Sequence, residues 1–212
     1  MKSTLNSLSS DRLAEYWVPS LGTGARPQFL FDTVLAAQFL LGCVIHHHKC
    51  SARIVETEAY RASDDPASHA HRGITNRNRV MFGPVGIAYV YFSYGAHWML
   101  NVVAHAEGEA GAVLIRAAEP LTGLDIMAER RGTSRPEALL SGPGKLCQAL
   151  GITKDCYDVD LFADGPLRIE PGPSPREIRA SPRIGIAEGK GHETPWRFID
   201  IEALPWISRP AH

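Results

Sequence analysis

Two acidic side chains placed two positions apart give this sequence its clearest candidate for chemistry. Glu56 and Glu58 lie in the otherwise apolar run IVETEAY, which Tyr60 completes. Side chains alternate along a β-strand, so this spacing would turn all three toward one face. Two carboxylates in one site raise the proton affinity of one of them, which suits general acid–base catalysis. A solvated strand face is the alternative interpretation of the same pattern.

An aromatic segment, YVYFSYGAHWMLN from Tyr89 to Asn101, provides the second candidate. Two β-prone runs flank a short turn, which predicts a β-hairpin with Tyr94 at its tip. A large exposed aromatic side chain is typical of a surface that inserts into another molecule. Tyr89 and Tyr91 would share one strand face and could offer a ring for stacking, although packing in a core explains the same residues.

Three further residues could contact an anion or a flat ligand. His69 lies in a polar stretch over residues 61–79, and a loop of this length in a compact domain is usually functional or disordered. Arg116, near the end of the apolar run GAVLIRAAEP, needs an anionic partner, either one of the two glutamates or a phosphate. Lys145 follows the glycines of SGPGKL, whose backbone amides could hold a phosphate although the P-loop spacing is absent.

The histidine run His46–His48, with Cys50 nearby, invites a metal interpretation. Consecutive strand residues point to opposite faces, so three adjacent rings cannot converge on one ion. Neither a CxxC pair nor an HExxH motif supports zinc. We therefore predict no metal and no cofactor. We also predict free thiols rather than a disulfide framework for the four cysteines, Cys43, Cys50, Cys147 and Cys156.

The whole chain has the composition of a globular protein, with 212 residues, 44% of them apolar and 21% charged. The formal net charge of −1 argues against a strongly basic nucleic-acid binder, but local clusters such as Arg77 with Arg79 matter more than the total. No apolar run is long enough to span a bilayer, and the N-terminus lacks the apolar core of a signal peptide. We therefore expect a cytoplasmic protein without a membrane partner.

The elements that would position these residues follow from hydrophobic periodicity and from turn residues. Helices are predicted for SDRLAEYWV, DTVLAAQFLLG, LTGLDIMAERRG and SGPGKLCQALG, the second of them capped by Asp32 and ended by Gly42. Residues 163–181 are predicted to be irregular. Strands are predicted for CVIHHHK, ARIVETEAY, the two arms of the hairpin, GAVLIRAAEP up to its Glu-Pro break, RIGIA and WRFIDI. Consecutive strands with peripheral helices predict an α+β fold with a largely antiparallel sheet.

Eight short motifs in one order resemble a known family. They are ETEAY, the loop histidine, RNR with MFG, YVYFSYG, the asparagine after the hairpin, LIRAAEP, SGPGKLCQALGI, and SPRIGI with WRF. Together they are similar to the alkyladenine (3-methyladenine) DNA glycosylase family, of the Mpg type in its bacterial form. The resemblance extends from about Leu30 to Ile207. It implies one α+β domain over residues 30–212 with a curled sheet and a protruding hairpin, preceded by an N-terminal extension over residues 1–29.

The resemblance also implies roles in the chemistry. Members of the family hydrolyse the N-glycosidic bond of alkylated or deaminated purines. Glu58 matches their general base, which activates a water molecule. Arg116 and the backbone carbonyl of Ile184 match the groups that help to hold this water. Glu56 would be a partner of the site rather than a catalyst.

The remaining roles concern the DNA. Tyr94 matches the wedge that fills the gap left by the flipped nucleotide, and Asn101 matches the gate that disfavours the exocyclic amine of guanine. Lys145 matches a contact to the DNA backbone, and Arg77 and Arg79 are predicted to join it. The residues that match the sandwich around the flipped base are Tyr60, His69 and Tyr91. Tyr89, although it shares a strand face with Tyr91, is interpreted as a core residue.

The predicted function is that of a monofunctional DNA glycosylase, because no lysine nucleophile is indicated. It would act as a monomer on duplex DNA that contains damaged purines, and it would leave an abasic site for base excision repair. A non-catalytic nucleic-acid-binding protein on the same scaffold is the alternative from another class. A metal-dependent hydrolase that uses the histidines is a third hypothesis.

Overall fold

A curled antiparallel sheet forms the centre of the molecule, seen here in a computed structural model that describes residues 26–62, 64–93 and 95–208. Its strands are β1 (Val44–His47), β2 (Cys50–Tyr60), β3 (Ala88–Ser93), β4 (His97–Val103), β5 (Ala112–Thr122), β6 (Leu167–Glu170), β7 (Ile178–Ser181) and β8 (Arg197–Asp200). Pairing follows the order β3-β4-β5-β2-β1-β6, and β8 joins β2 to β7. The sheet bends into a half-barrel, as expected for the predicted α+β fold.

Strand β2 is the organising strand because it pairs with three others. One edge pairs with β5 along most of its length. The other edge pairs first with β1, over Cys50 to Arg53, and then with β8, over Glu56 to Glu58. The two predicted acids therefore lie where β2 is enclosed by strands on both sides, and this enclosure explains why both are fully buried.

Short helices cover the sheet. The α-helices are α1 (Thr33–Phe39), α2 (Leu124–Arg131), α3 (Pro136–Leu139) and α4 (Pro143–Leu150), and the 3-10 helices span Gln28–Phe31, Arg79–Phe82, Lys154–Cys156 and Ile201–Trp206. Helix α1 begins as predicted, because the Asp32 carboxylate accepts hydrogen bonds from the N–H groups of Val34 and Leu35 at 2.8 and 2.9 Å. It ends before Gly42, whose φ of 86° stops further helix.

The apolar core lies between these helices and the sheet. Fully buried side chains from β1, β2, β5 and α4, such as Ile45, Ile54, Ile115 and Leu150, pack into one cluster. Burying each aliphatic side chain of this size contributes about 1.5–3 kcal/mol. The core thus holds in place β2 and β5, the strands that carry Glu56, Glu58 and Arg116.

Two stretches of the chain form more strand than the sequence predicted. Strand β5 does not end at the Glu-Pro break but continues to Thr122, and Pro120 pairs in register with Ala52. A register shift beside this pair accommodates the proline, because a bulge tolerates a missing N–H donor. The stretch 163–181, predicted to be irregular, contains β6 and β7.

The segment RIGIA was predicted as a strand and is a loop instead. Its polar groups do not take part in strand pairing. The Arg183 guanidinium binds Asp65, and the N–H of Ile184 donates to the Glu58 carboxylate. The following prediction, WRFIDI, is confirmed over Arg197–Asp200 only, since the Asp200 side chain then caps a 3-10 helix. The predicted helix SDRLAEYWV lies outside the described residues.

Candidate active site

A cavity of about 490 Å³ opens where the hairpin, β5 and two loops meet. This volume lies within the usual range for a small-molecule site. Seven of the predicted site residues line it, together with residues that the sequence did not suggest. The full lining is Tyr60, Ala67, His69, Arg77, Met81, Tyr89, Tyr91, Ser93, Met99, Asn101, Leu114, Arg116, Pro143, Ile184, Gly185 and Ile186.

The Glu58 carboxylate lies directly behind this lining and is fully buried. Its Oε1 accepts a hydrogen bond of 2.7 Å from the backbone N–H of Ile184. Its Oε2 accepts one of 2.8 Å from the Tyr60 hydroxyl and one of 3.1 Å from Nη1 of Arg116. Three residues of the cavity wall therefore hold one buried carboxylate in a fixed orientation.

Burial governs the protonation of this carboxylate. Loss of solvent raises the pKa of Glu58 above the ordinary glutamate value, and the charge of Glu56 adds to this effect. The positive charge of Arg116 and the hydrogen bonds from Ile184 and Tyr60 oppose it. A carboxylate with a raised pKa is a stronger base than an exposed one, which suits proton abstraction near neutral pH. The same environment raises the pKa of Tyr60, so its hydroxyl stays protonated and remains a donor.

Two β-bulges bring Arg116 to both acids. In the register of β2 against β5, Val55 is an extra residue on one strand and Arg116 is an extra residue on the other. Bulges twist a strand locally and redirect side chains, and they are common beside active sites. Here Nε of Arg116 reaches Glu56 at 3.0 Å while Nη1 reaches Glu58 at 3.1 Å. The predicted pairing of Arg116 with a glutamate is confirmed, with both acids as partners.

Aromatic rings form the wall on the hairpin side. The ring centroids of His69 and Tyr91 are 4.7 Å apart in an edge arrangement, and those of Tyr89 and Tyr91 are 5.3 Å apart. Nδ1 of His69 lies 2.9 Å from the Tyr89 hydroxyl. Removal of solvent, with the charge of Arg77, lowers the pKa of His69. The imidazole is therefore neutral near pH 7 and can stack without bringing a charge into the cavity.

Tyr89 was interpreted as a core residue, and this interpretation is incomplete. Its ring is almost fully buried, yet it lines the cavity and its hydroxyl fixes His69. The sequence feature that indicated a place in the cavity wall was the strand face that Tyr89 shares with Tyr91. Asn101 pairs with Tyr89 across the hairpin, and its Nδ2 donates to the Tyr89 carbonyl at 3.0 Å, which fixes the amide in the wall.

A buried ion pair supports the wall around Tyr60, and sequence reasoning missed it. Arg183 donates to both oxygens of Asp65 at 2.6 and 2.8 Å, and both residues are buried. The guanidinium carbon lies 4.7 Å from the centroid of the Tyr60 ring, close enough for a cation–π contact. The pair connects the loop after β2 to the loop that carries Ile184. The only sequence signal was the arginine in the motif SPRIGI.

The predicted DNA-backbone residues do not form one cluster with the cavity. Arg77 lies at its rim, with its guanidinium carbon 5.0 Å from the Tyr91 ring. Lys145 is exposed in the first turn of α4, two residues after Pro143, which lines the cavity. Arg79 lies outside the lining and contacts the ring of Tyr157 at 6.0 Å. Tyr94, the predicted wedge, lies outside the described residues.

The histidine run has structural contacts. Nε2 of His46 lies 3.0 Å from the Glu170 carboxylate, and Nδ1 of the buried His47 lies 2.8 Å from the Leu150 carbonyl. His48 occupies a turn with a positive φ. Within the described ranges, no group of three or more histidine, cysteine or acidic residues is arranged to hold a metal ion. All four cysteines are free and buried.

Among the residues that the structure describes, none of the helices has the length and apolar character needed to cross a membrane.

Comparison with known proteins decides the family. The sequence model of the family described as "Methylpurine-DNA glycosylase (MPG)" matches residues 28–203, which is most of the chain. The chain belongs to the methylpurine-DNA glycosylase family. Membership of this family makes the protein a hydrolase of the DNA glycosylase class, which acts on damaged DNA, as the motifs predicted.

Curated relatives agree with the family. The chain is 55% identical over 159 residues to a protein of Chlorobaculum parvum, with 74% of each chain covered. It is 49% identical over 187 residues to one of Chlorobaculum tepidum, covering 85% of this chain and 88% of the relative. It is 50% identical over 186 residues to one of Methanoculleus marisnigri, covering 84% and 94%. All three carry the name "Putative 3-methyladenine DNA glycosylase".

Proposed function

We propose that this protein is a monofunctional glycosylase that flips alkylated or deaminated purines out of duplex DNA and hydrolyses their N-glycosidic bond. The observation that supports this best is the Glu58 carboxylate. It is buried and bound by Arg116, Tyr60 and Ile184 behind an aromatic cavity. The names of the relatives and the family membership point to the same substrate class.

Flipping is required because a stacked base hides its glycosidic bond inside the duplex. Extrusion costs a few kcal/mol, and less for a damaged or mispaired base. Stacking on aromatic rings contributes about 1–3 kcal/mol per base whatever its identity, which suits a broad range of lesions. Tyr60, His69 and Tyr91 line the cavity and would supply these contacts. Asn101 would disfavour the exocyclic amine of guanine from the wall beside Tyr89.

The chemistry needs an activated water and a leaving purine. Glu58, ionised, accepts a proton from water as the water oxygen bonds to C1′ of the deoxyribose. The C1′–N bond breaks, and its electron pair leaves with the base. Positive charge develops on the sugar in the transition state, and a nearby carboxylate stabilises it. Arg116 and the backbone of Ile184 would hold the water beside Glu58, with the Ile184 carbonyl as the proposed acceptor.

Two features support direct hydrolysis by a single chain. The described lining of the cavity contains no lysine that could attack C1′. One cavity and one hairpin suffice for one lesion, so we propose a monomer. Tyr94, which falls between β3 and β4 in the sequence, would fill the gap in the duplex. Lys145, Arg77 and Arg79 would contact the DNA backbone. The glycosylase domain would span residues 30–212, after an N-terminal extension over residues 1–29.

The test is base release from duplexes that carry hypoxanthine, 3-methyladenine or ethenoadenine. The wild-type protein should release the base and leave an abasic site, and Glu58→Gln should abolish release while it retains lesion binding. Glu119→Gln is the matched control, because Glu119 also pairs with an arginine but lies outside the cavity lining. Full activity of Glu58→Gln would disprove the role of the base. Salt-dependent binding without release by the wild type would favour the non-catalytic alternative.

A further inference from the structure

The second acid of ETEAY, Glu56, lies in a position that the proposed reaction does not use. It is fully buried and does not line the cavity. Its Oε1 accepts hydrogen bonds from Nε of Arg116 at 3.0 Å, from Nε of Arg197 at 2.8 Å and from the Ser208 hydroxyl at 2.8 Å. Its Oε2 accepts one of 2.6 Å from the Ser208 N–H.

We propose that Glu56 is a positioning residue that fixes Arg116 and draws part of its positive charge away from Glu58. Glu56 would act on the reaction only through Arg116 and Glu58, and it would touch neither the base nor the water. This inference rests on the proposed role of Glu58 as the general base.

The geometry of the Arg116 guanidinium supports the fixing role. Its Nε donates to Glu56, its Nη1 to Glu58, and its Nη2 to the Ser208 hydroxyl at 3.2 Å. All three nitrogens therefore have acceptors, and the planar group cannot rotate without breaking at least two of these bonds. Because Ser208 binds both Glu56 and Arg116, the segment after β8 takes part in holding the arginine.

The charges around Glu58 support the second part of the proposal. The groups that face its carboxylate are Arg116 from β5, the Tyr60 hydroxyl and Glu56 from β2, and the Ile184 N–H from the loop before β8. Arg197 from β8 reaches Glu56. A guanidinium shared between two buried carboxylates compensates each less than it would compensate one alone. With Glu56 present, Glu58 is therefore a stronger base than it would be if Arg116 paired with Glu58 alone.

The decisive measurement is the pH profile of single-turnover base release. In Glu56→Gln, Arg116 interacts with one carboxylate only, so the acid limb should move to lower pH by about one unit. One unit below the wild-type midpoint, the variant should then retain about fivefold more of its own plateau rate than the wild type retains of its own. The plateau itself should fall, because glutamine holds the guanidinium less firmly.

The control is again Glu119→Gln, which breaks an Arg–Glu pair on the same strand as Arg116 without touching it. Its acid limb should coincide with that of the wild type. An unchanged or raised limb in Glu56→Gln would overturn the proposal, because a purely structural role would alter stability without a downward shift.

Glu56→Gln leaves Arg197 without one of its buried acceptors and could prevent folding. The double variant Glu56→Gln/Arg197→Gln removes both charges together and should fold more readily. It should show the same downward shift, and an unshifted limb in this variant would equally overturn the proposal. Failure of the proposed function is separable, since it would appear as absent base release by the wild type or as full activity of Glu58→Gln.

Discussion

The backbone N–H of Ile184 donates a 2.7 Å hydrogen bond to the Glu58 carboxylate, 126 positions earlier in the chain. A backbone donor cannot be removed by substitution of its side chain. It also costs no side-chain entropy when the acid changes protonation state. The proposed base is therefore coupled to the backbone of the loop that lines the cavity, and its properties depend on that loop as well as on Arg116.

The pH dependence of the reaction should reveal the burial of Glu58. As the proposed general base, Glu58 can accept a proton only when it is ionised, so activity should fall as the pH drops through its pKa. Because burial raises this pKa, the acid limb should have its midpoint above the ordinary glutamate value of 4.5. Single-turnover base release across pH, corrected for release without enzyme, tests this. A midpoint at or below 4.5 would mean that the stabilising contacts outweigh burial.

Tyr60→Phe should separate the hydroxyl of Tyr60 from its ring. The hydroxyl donates to ionised Glu58, so its loss should raise the pKa of Glu58 further and move the acid limb upward by about one pH unit. Lesion affinity should change little, since the ring remains. Tyr157→Phe is the control, because the Tyr157 hydroxyl has no hydrogen-bond partner among the described residues. A shift of equal size in both variants would contradict the assignment.

Tyr91→Ala should weaken capture of the flipped base. Removal of a stacking ring should cost about 1–3 kcal/mol of lesion affinity, whereas Tyr91→Phe should retain most of it. Binding is best measured in the Glu58→Gln background, where the substrate stays intact, and against an undamaged duplex of the same sequence. If Tyr91→Ala weakens lesion and undamaged DNA equally, the ring contributes to general binding and not to the cavity.

Asp65→Asn should destabilise the protein strongly, because it leaves the guanidinium of Arg183 buried without its anionic partner. The expected loss is about 3–5 kcal/mol, measured by urea unfolding. Asp160→Asn removes the partner of Arg26 from a more exposed pair and should cost about 1 kcal/mol or less. Comparable losses of stability in the two variants would show that the buried Arg183–Asp65 pair contributes no more than the more exposed Arg26–Asp160 pair.

The parts of the molecule that could be predicted are those with local causes. Asp32 caps α1 through N–H groups two and three positions away, and Glu58 with Tyr60 follows from the alternation of one strand. The position of Tyr91 in the cavity wall follows from the hairpin, which is a local element. The matching of motifs to a family supplied roles that spacing alone left open.

The parts that could not be predicted depend on contacts between distant segments. RIGIA has the composition of a strand, yet its Arg183 binds an aspartate 118 positions away. The environment of Glu56 is set by Arg197 and Ser208, and nothing near Glu56 in the sequence indicates either. Tyr89 was interpreted as a core residue because its ring is largely apolar in character, and it is buried. A residue between the core and the cavity can be buried and still line the cavity.

The pairing of β2 with β8 has a consequence for synthesis of the protein. Residues 56–58 of the central strand gain their second neighbouring strand from residues 197–199. A nascent or truncated chain that ends before this point would expose an unpaired edge at the very place where both acids lie. Contacts of such long range form late and slowly. Completion of translation would thus act as a safeguard, since an unfinished polypeptide could not yet break bonds in the genome.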